Sequence, residues 1–117
     1  MTELTPLITA SVVGVGGALG AMGRHAVGLR IDGRRSVVVV NALGSFALGA
    51  ITASSLGSEL VLFAAIGFCG AFTTFSSVTV ETVSTAIDGD TASAALFAAE
   101  TLLVALFAFL LGVALFA

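Results

Sequence analysis

In a chain this apolar, the side chains able to do chemistry are the few polar ones at bilayer depth, and they cluster. The stretch Gly67-Phe-Cys-Gly-Ala-Phe-Thr-Thr-Phe-Ser-Ser77 sets two glycines and four hydroxyl residues within the uncharged run from Leu60 to Val80. That composition predicts an interrupted helix, because irregular backbone persists at membrane depth only against protein or a water-filled pathway. At a break near Gly70 to Ser76, carbonyls at the end of the first half can coordinate a cation. The amides and positive dipole end of the second half favour an anion. A plain kink, with the hydroxyls re-satisfying the freed backbone, fits the same pattern.

Other polar groups flank this stretch. Asn41, Ser45 and Thr52 fall within a narrow arc at the helical spacing of about 100° per residue, with Leu48 between them. An amide and two hydroxyls without charge face protein or a pore rather than lipid; interhelical hydrogen bonding is the plainer use of such a stripe. Phe68, Phe72 and Phe75 surround the glycine and hydroxyl stretch, and an aromatic ring edge is electropositive enough to touch a partly dehydrated anion. Arg24, beside His25, is placed either to snorkel to the headgroups or to turn inward onto a carboxylate or helix end. Glu81 and Glu100 are the membrane-region carboxylates; for Glu81 the plain alternative is pairing with an arginine at the interface.

Four apolar segments must position these groups. Of 117 residues, 58% are hydrophobic and 9% charged, and the mean hydropathy is +1.19, against roughly 25% charged in a soluble domain. Uncharged blocks run from Leu4 to Gly23, Ser36 to Ser58 and Leu60 to Val80, with a fourth from Thr91 to Ala117 broken only by Glu100. Each approaches the ~20 residues that a helix needs to cross the bilayer. The expectation is a single all-α membrane domain over 1–117, with helices near 5–29, 36–56, 60–87 and 91–116, multi-pass in the cell membrane. Short connections make consecutive helices antiparallel neighbours. The first block has no basic region before it and is too long for a signal-peptide core, so it is expected to be retained.

Several classes fall away on composition. Cys69 is the only cysteine and His25 the only histidine, so no internal disulfide forms and zinc chemistry is effectively excluded. A net charge of −3 rests on acids at the termini and loops; no nucleic-acid partner and no enzymatic activity are expected. Arg24, Arg30, Arg34 and Arg35 all lie at or in the first connection, which the positive-inside rule places in the cytoplasm with both termini outside. Gly16, Gly20 and Gly23 share one face of the first helix, spacing that lets helix backbones approach closely in lipid.

Taken together, Gly17-Ala-Leu-Gly-Ala-Met-Gly-Arg24, Val40-Asn-Ala-Leu-Gly-Ser-Phe-Ala-Leu-Gly49 and the Gly67 to Ser77 stretch resemble the Fluc (CrcB) family of fluoride channels, with all four spans in order. The resemblance implies a dimer of four-helix subunits in inverted orientation, passing fluoride passively out of the cytoplasm through pores beside the subunit interface. It implies that Asn41 and Phe75 line a pore, with Ser45, Ser76 and Thr101 as further polar lining, Thr101 being the loosest match. It implies that the backbone carbonyls of Gly70 and Thr73 hold a central structural sodium ion, four oxygens coming from two subunits. Arg24 and Glu81 match the family's helix-one arginine and helix-three glutamate.

Two departures stand out. The family usually has a second phenylalanine three residues after the first, where this sequence has Val78, and a branched aliphatic side chain offers no ring edge. The arginines all sit on one side, whereas a homodimer of inverted subunits requires each chain to insert both ways. The charge bias therefore favours pairing with an oppositely oriented homologue. Two rival functions fit less well. A small proton-coupled multidrug exporter needs a carboxylate in its first helix and aromatics around a hydrophobic cation; this helix has no acid, and the chain no Trp or Tyr. A non-conducting assembly subunit explains the glycine faces but not the polar break.

Overall fold

The computed structural model describes residues 5–117, which form four membrane-length helical spans. Residues 1–4, which carry the reading of a missing basic leader, lie outside the described part. The first span is α1 (Thr5–Arg30) and the second α2 (Gly33–Ala53). The third runs Ser58–Ile87 as a first arm and a second arm. The first arm comprises α3 (Ser58–Val61), a π-helical stretch (Leu62–Cys69) and α4 (Gly70–Phe72); the second arm is α5 (Phe75–Ile87). The fourth span is α6 (Thr91–Phe116). The molecule measures 55 × 29 × 25 Å along its principal axes, longer than the ~40–45 Å of a full bilayer.

The turns follow from local chemistry. Gly33 and Gly89 take left-handed backbone, with φ of 62° and 93°, a region open to glycine without steric penalty. Gly33 opens α2 directly after the Asp32 N-cap position, so this helix starts ahead of Ser36 and draws Arg34 and Arg35 into its first turns. Asp90 caps α6 by accepting from the Ser93 amide at 3.0 Å.

Two backbone-to-backbone seams hold the spans together. A Cβ on Gly16 would overlap the carbonyl oxygen of Phe63, and one on Gly20 that of Phe68. In return, a Cβ on Gly67 would lie 2.7 Å from the Val13 carbonyl oxygen. The first arm therefore lies directly on the glycine face of α1, and the π-helical turns, with an extra residue per turn, coincide with that contact. The second seam joins α2 to α6, where Gly49 meets the Phe109 carbonyl and Gly112 the Phe46 carbonyl. Small residues at such crossings admit the close packing that replaces hydrophobic driving force in lipid.

Few side chains are buried: Val40, Ala65, Cys69, Phe72, Ala94 and Phe97 form the apolar core, joined by the polar Asn41 and Thr101. Most leucines face outward, as expected where lipid is the solvent. The second arm has no fully buried residue; it packs chiefly on α6 and is tied to α2 by polar groups.

Candidate ion pathway at the helix break

The third span breaks at Thr73 and Thr74, inside the predicted region. Both have extended backbone, Thr73 at ψ 161° and Thr74 at φ −145°, ψ 115°. The Thr73 amide and hydroxyl both bond the Cys69 carbonyl, at 3.1 and 3.0 Å, closing the first arm. Thr74 opens the second arm as its N-cap: its Oγ1 accepts from the Ser77 amide at 3.1 Å and donates to Ser77 Oγ at 3.0 Å. A Ser or Thr at this position satisfies an amide that the helix start would otherwise leave bare.

Asn41 bridges the break from α2. Its Oδ1 accepts from the Thr74 amide at 2.7 Å, and its Nδ2 donates to the Thr74 carbonyl at 3.1 Å. The Thr74 amide, which a continuous helix would direct to Gly70, is thus turned toward Asn41, and the Ser77 amide, which would serve Thr73, is turned to the cap. The carbonyls of Gly70 and Thr73 are thereby released from helical bonding. The Ala71 carbonyl, released likewise, accepts from Arg24 Nε at 3.0 Å. Arg24 thus turns inward onto a helix end.

Beside the break lies a groove of about 530 Å³ that brings together Asn41, Ser45, Gly70, Thr73, Phe75 and Thr101, with Val78 also in its wall. Thr101 is 5% exposed, and its Oγ1 has no hydrogen-bond partner among the described residues. Asn41 is 8% exposed, whereas Phe75 is 83% exposed at the rim. One Nδ2 hydrogen of Asn41 goes to Thr74, which leaves the second, since a carboxamide carries two. No charged side chain lines this groove, so it offers dipolar donors without a fixed countercharge.

The remaining residues lie elsewhere. Ser76 is exposed, touches Thr74 Oγ1 at 3.3 Å and lines a separate groove of about 360 Å³ with Ser77 and Glu81. Thr52 bonds within its own helix, to the Gly49 carbonyl at 3.0 Å. Phe68 and Phe72 stack on each other, centroids 5.5 Å apart, and both rings lie against Gly23 of α1; they pack rather than line the groove. Glu81 pairs with Arg34 at 3.2 Å, the interfacial pairing considered for it. Glu100 is exposed in a groove of about 450 Å³ with Arg34, Arg35 and Phe97.

Sequence reasoning missed Thr74 and Arg34. Thr74 meets Asn41 through its backbone, which residue type does not reveal, whereas its cap on Ser77 is made by the hydroxyl that the sequence shows. Arg34 left a faint signal, since it precedes Asn41 by seven residues, the same interval that separates Thr74 from Glu81.

Comparison with known proteins shows the family. Residues 11–113 match the family described as CrcB-like protein, Camphor Resistance (CrcB). The "Fluoride-specific ion channel FluC 2" of Natronomonas pharaonis is 50% identical over 111 residues, 93% of this chain and 95% of that one. The protein of the same name in Haloarcula marismortui is 43% identical, covering 88% and 89%. A "Fluoride-specific ion channel FluC" of Thermus thermophilus is 39% identical, covering 86% and 89%.

Proposed function

This chain belongs to the CrcB family, and from that membership we infer that it is a fluoride-specific channel, a multi-pass membrane protein and not an enzyme. The observation that carries the mechanism is the buried, partnerless Thr101 hydroxyl beside Asn41 in a groove without charge. Fluoride is small and strongly hydrated, so a path through the bilayer must replace its water with donors. Thr101, Ser45 and the second Nδ2 hydrogen of Asn41 supply them, and Phe75 supplies a ring edge, whose electropositive rim attracts an anion without releasing a proton. The absence of a lysine or arginine in the groove keeps the ion from being trapped, since conduction needs binding weak enough to release. Ser76 lies on the cytoplasmic approach, if the arginine-rich connection is inside.

The direction of flow follows from fluoride's acid–base chemistry. HF crosses membranes from acidic surroundings and dissociates in the neutral cytoplasm, so a passive path for the anion lets it leave down its gradient.

The groove is one-sided: Phe75 projects from it and Gly70 is exposed, so the pathway is completed by a second subunit. The carbonyls of Gly70 and Thr73 form a hard, uncharged oxygen set at the negative end of a helix, chemistry suited to a sodium ion and not to a divalent metal lacking carboxylates. With the same pair from an inverted partner, they would hold sodium at the centre, where it would brace the two broken helices. Arginines confined to the first connection favour one insertion direction, so the partner is an oppositely oriented homologue. Haloarcula marismortui, among the relatives, carries both a FluC 1 and a FluC 2. Val78 then leaves this subunit supplying one ring where the family usually supplies two.

The test is fluoride release from liposomes by the purified chain reconstituted with an oppositely inserting homologue, parent against Phe75→Ile and Asn41→Ala. Loss of at least about tenfold in both variants, with assembly intact, is expected of groove residues. Release equal to the parent would remove Asn41 and Phe75 from the pathway.

A further inference from the structure

The second arm of the third span is strung on two polar rungs from α2. At one end Asn41 holds the Thr74 backbone. At the other, seven residues away on each helix, Arg34 holds Glu81. The matching intervals place both rungs on one face of α2 and one face of α5, two turns apart in antiparallel register. Between the rungs the helices stand apart, with polar cavities on either side. One, of about 280 Å³, runs from Arg24 and His25 to Thr74 and Ser77; the other, of about 360 Å³, holds Ser76, Ser77 and Glu81.

Arg34 does more than pair with Glu81. Its Nη2 donates to Thr85 Oγ1 at 2.6 Å and its Nη1 to Ser93 Oγ at 3.0 Å, while the guanidinium lies 5.0 Å from the centroid of Phe97. One planar fork therefore ties α2 to α5 and to the start of α6. Lysine, a single rotatable point charge, cannot reproduce that geometry.

We infer that Arg34 is a positioning residue: through Glu81 and Thr85 it fixes the tilt of α5 and so sets the width of the cytoplasmic cleft leading to Thr74 and Phe75. This rests on the channel reading above. Because α5 buries no whole residue and packs chiefly on α6, touching α2 only sparsely, the rungs rather than side-chain packing set its distance from α2. Arg34 itself lines no part of the Asn41 groove.

Arg34→Lys isolates the role, since it keeps the positive charge that governs insertion. Fluoride release should fall about fivefold, the scale of losing one contact in a coupled network, and the fluoride-to-chloride ratio should fall with it, while dimer elution is unchanged. Glu81→Gln should act similarly, and the double variant should be no worse than the poorer single. A parent-like rate and ratio in Arg34→Lys, or losses that multiply, would overturn the proposal. Spin labels at Leu43 and Val83, on a Cys69→Ala background, give a readout independent of conduction. Their distance distribution should broaden in Arg34→Lys, and an unchanged distribution refutes the positioning role. A parent that does not conduct even beside its oppositely inserting homologue would defeat the channel reading, leaving the distance result to decide the fate of Arg34.

Discussion

Asn41 grips Thr74 at both ends of one peptide-like amide, accepting from its N–H at 2.7 Å and donating to its C=O at 3.1 Å. The helix break is thereby a built feature of two spans rather than a weakness of one. The first bond diverts the amide that would have closed the helix, and the same carboxamide lines the groove with one N–H left over. Structural tie and ion contact are thus carried by a single side chain.

Asn41→Asp separates the two roles. A carboxylate still accepts from the Thr74 amide but donates nothing and carries a charge that repels an anion. Stability should fall by about 1 kcal/mol, within the range measured for interhelical hydrogen bonds, while fluoride flux falls below detection. Thermal unfolding in detergent alongside liposome release checks both.

Thr101 should show stability and function moving apart. Its buried hydroxyl lacks a partner among the described residues, and such a group is costly to keep. Thr101→Val should therefore leave thermal stability unchanged or raised by about 1 kcal/mol, yet slow fluoride release; Thr101→Ser should retain most of the flux. Equal flux in the valine variant would remove this hydroxyl from the pathway.

The glycines divide sharply by position. Gly20 and Gly49 lie against backbone carbonyls of neighbouring spans, whereas nothing lies within 4 Å of a Cβ placed on Gly14. Gly20→Val and Gly49→Val should abolish recovery of folded protein, as overpacking between two backbones leaves nothing flexible to yield. Gly14→Ala should express normally and elute as the parent does.

Sodium removal tests the carbonyl cluster. Exchange of sodium for a large organic cation during purification should lower the protein's thermal stability, and sodium should restore it in a saturable way, as any ligand bound only by the folded state must. Indifference to sodium would remove the cation from the account.

Much of this was legible in the sequence because the bilayer leaves few options. Uncharged blocks of helical length fixed the spans, and hydroxyls in the third block located its break to within a few residues of Thr73 and Thr74. The Gly16, Gly20 and Gly23 face was visible as spacing and is found against the first arm. What side-chain identity does not encode stayed hidden. The π-helical turns of Leu62–Cys69, which coincide with the α1 contact, follow from no residue type there. Thr74's tie to Asn41 is made by its backbone N–H and C=O. The inward turn of Arg24 depends on where a carbonyl is released, which only the folded break defines. Ser76 and Thr101, alike as hydroxyl residues in sequence, land in different grooves because Ser76 lies on α5 and Thr101 on α6.

Fluoride efflux from liposomes, followed with an ion-selective electrode beside a chloride measurement, tests the central claim most directly. The purified chain, reconstituted with an oppositely inserting homologue, should release fluoride rapidly while chloride stays inside, without added energy. Retention of fluoride in that complex, or release of both ions alike, would contradict the reading of this chain as a fluoride-specific channel.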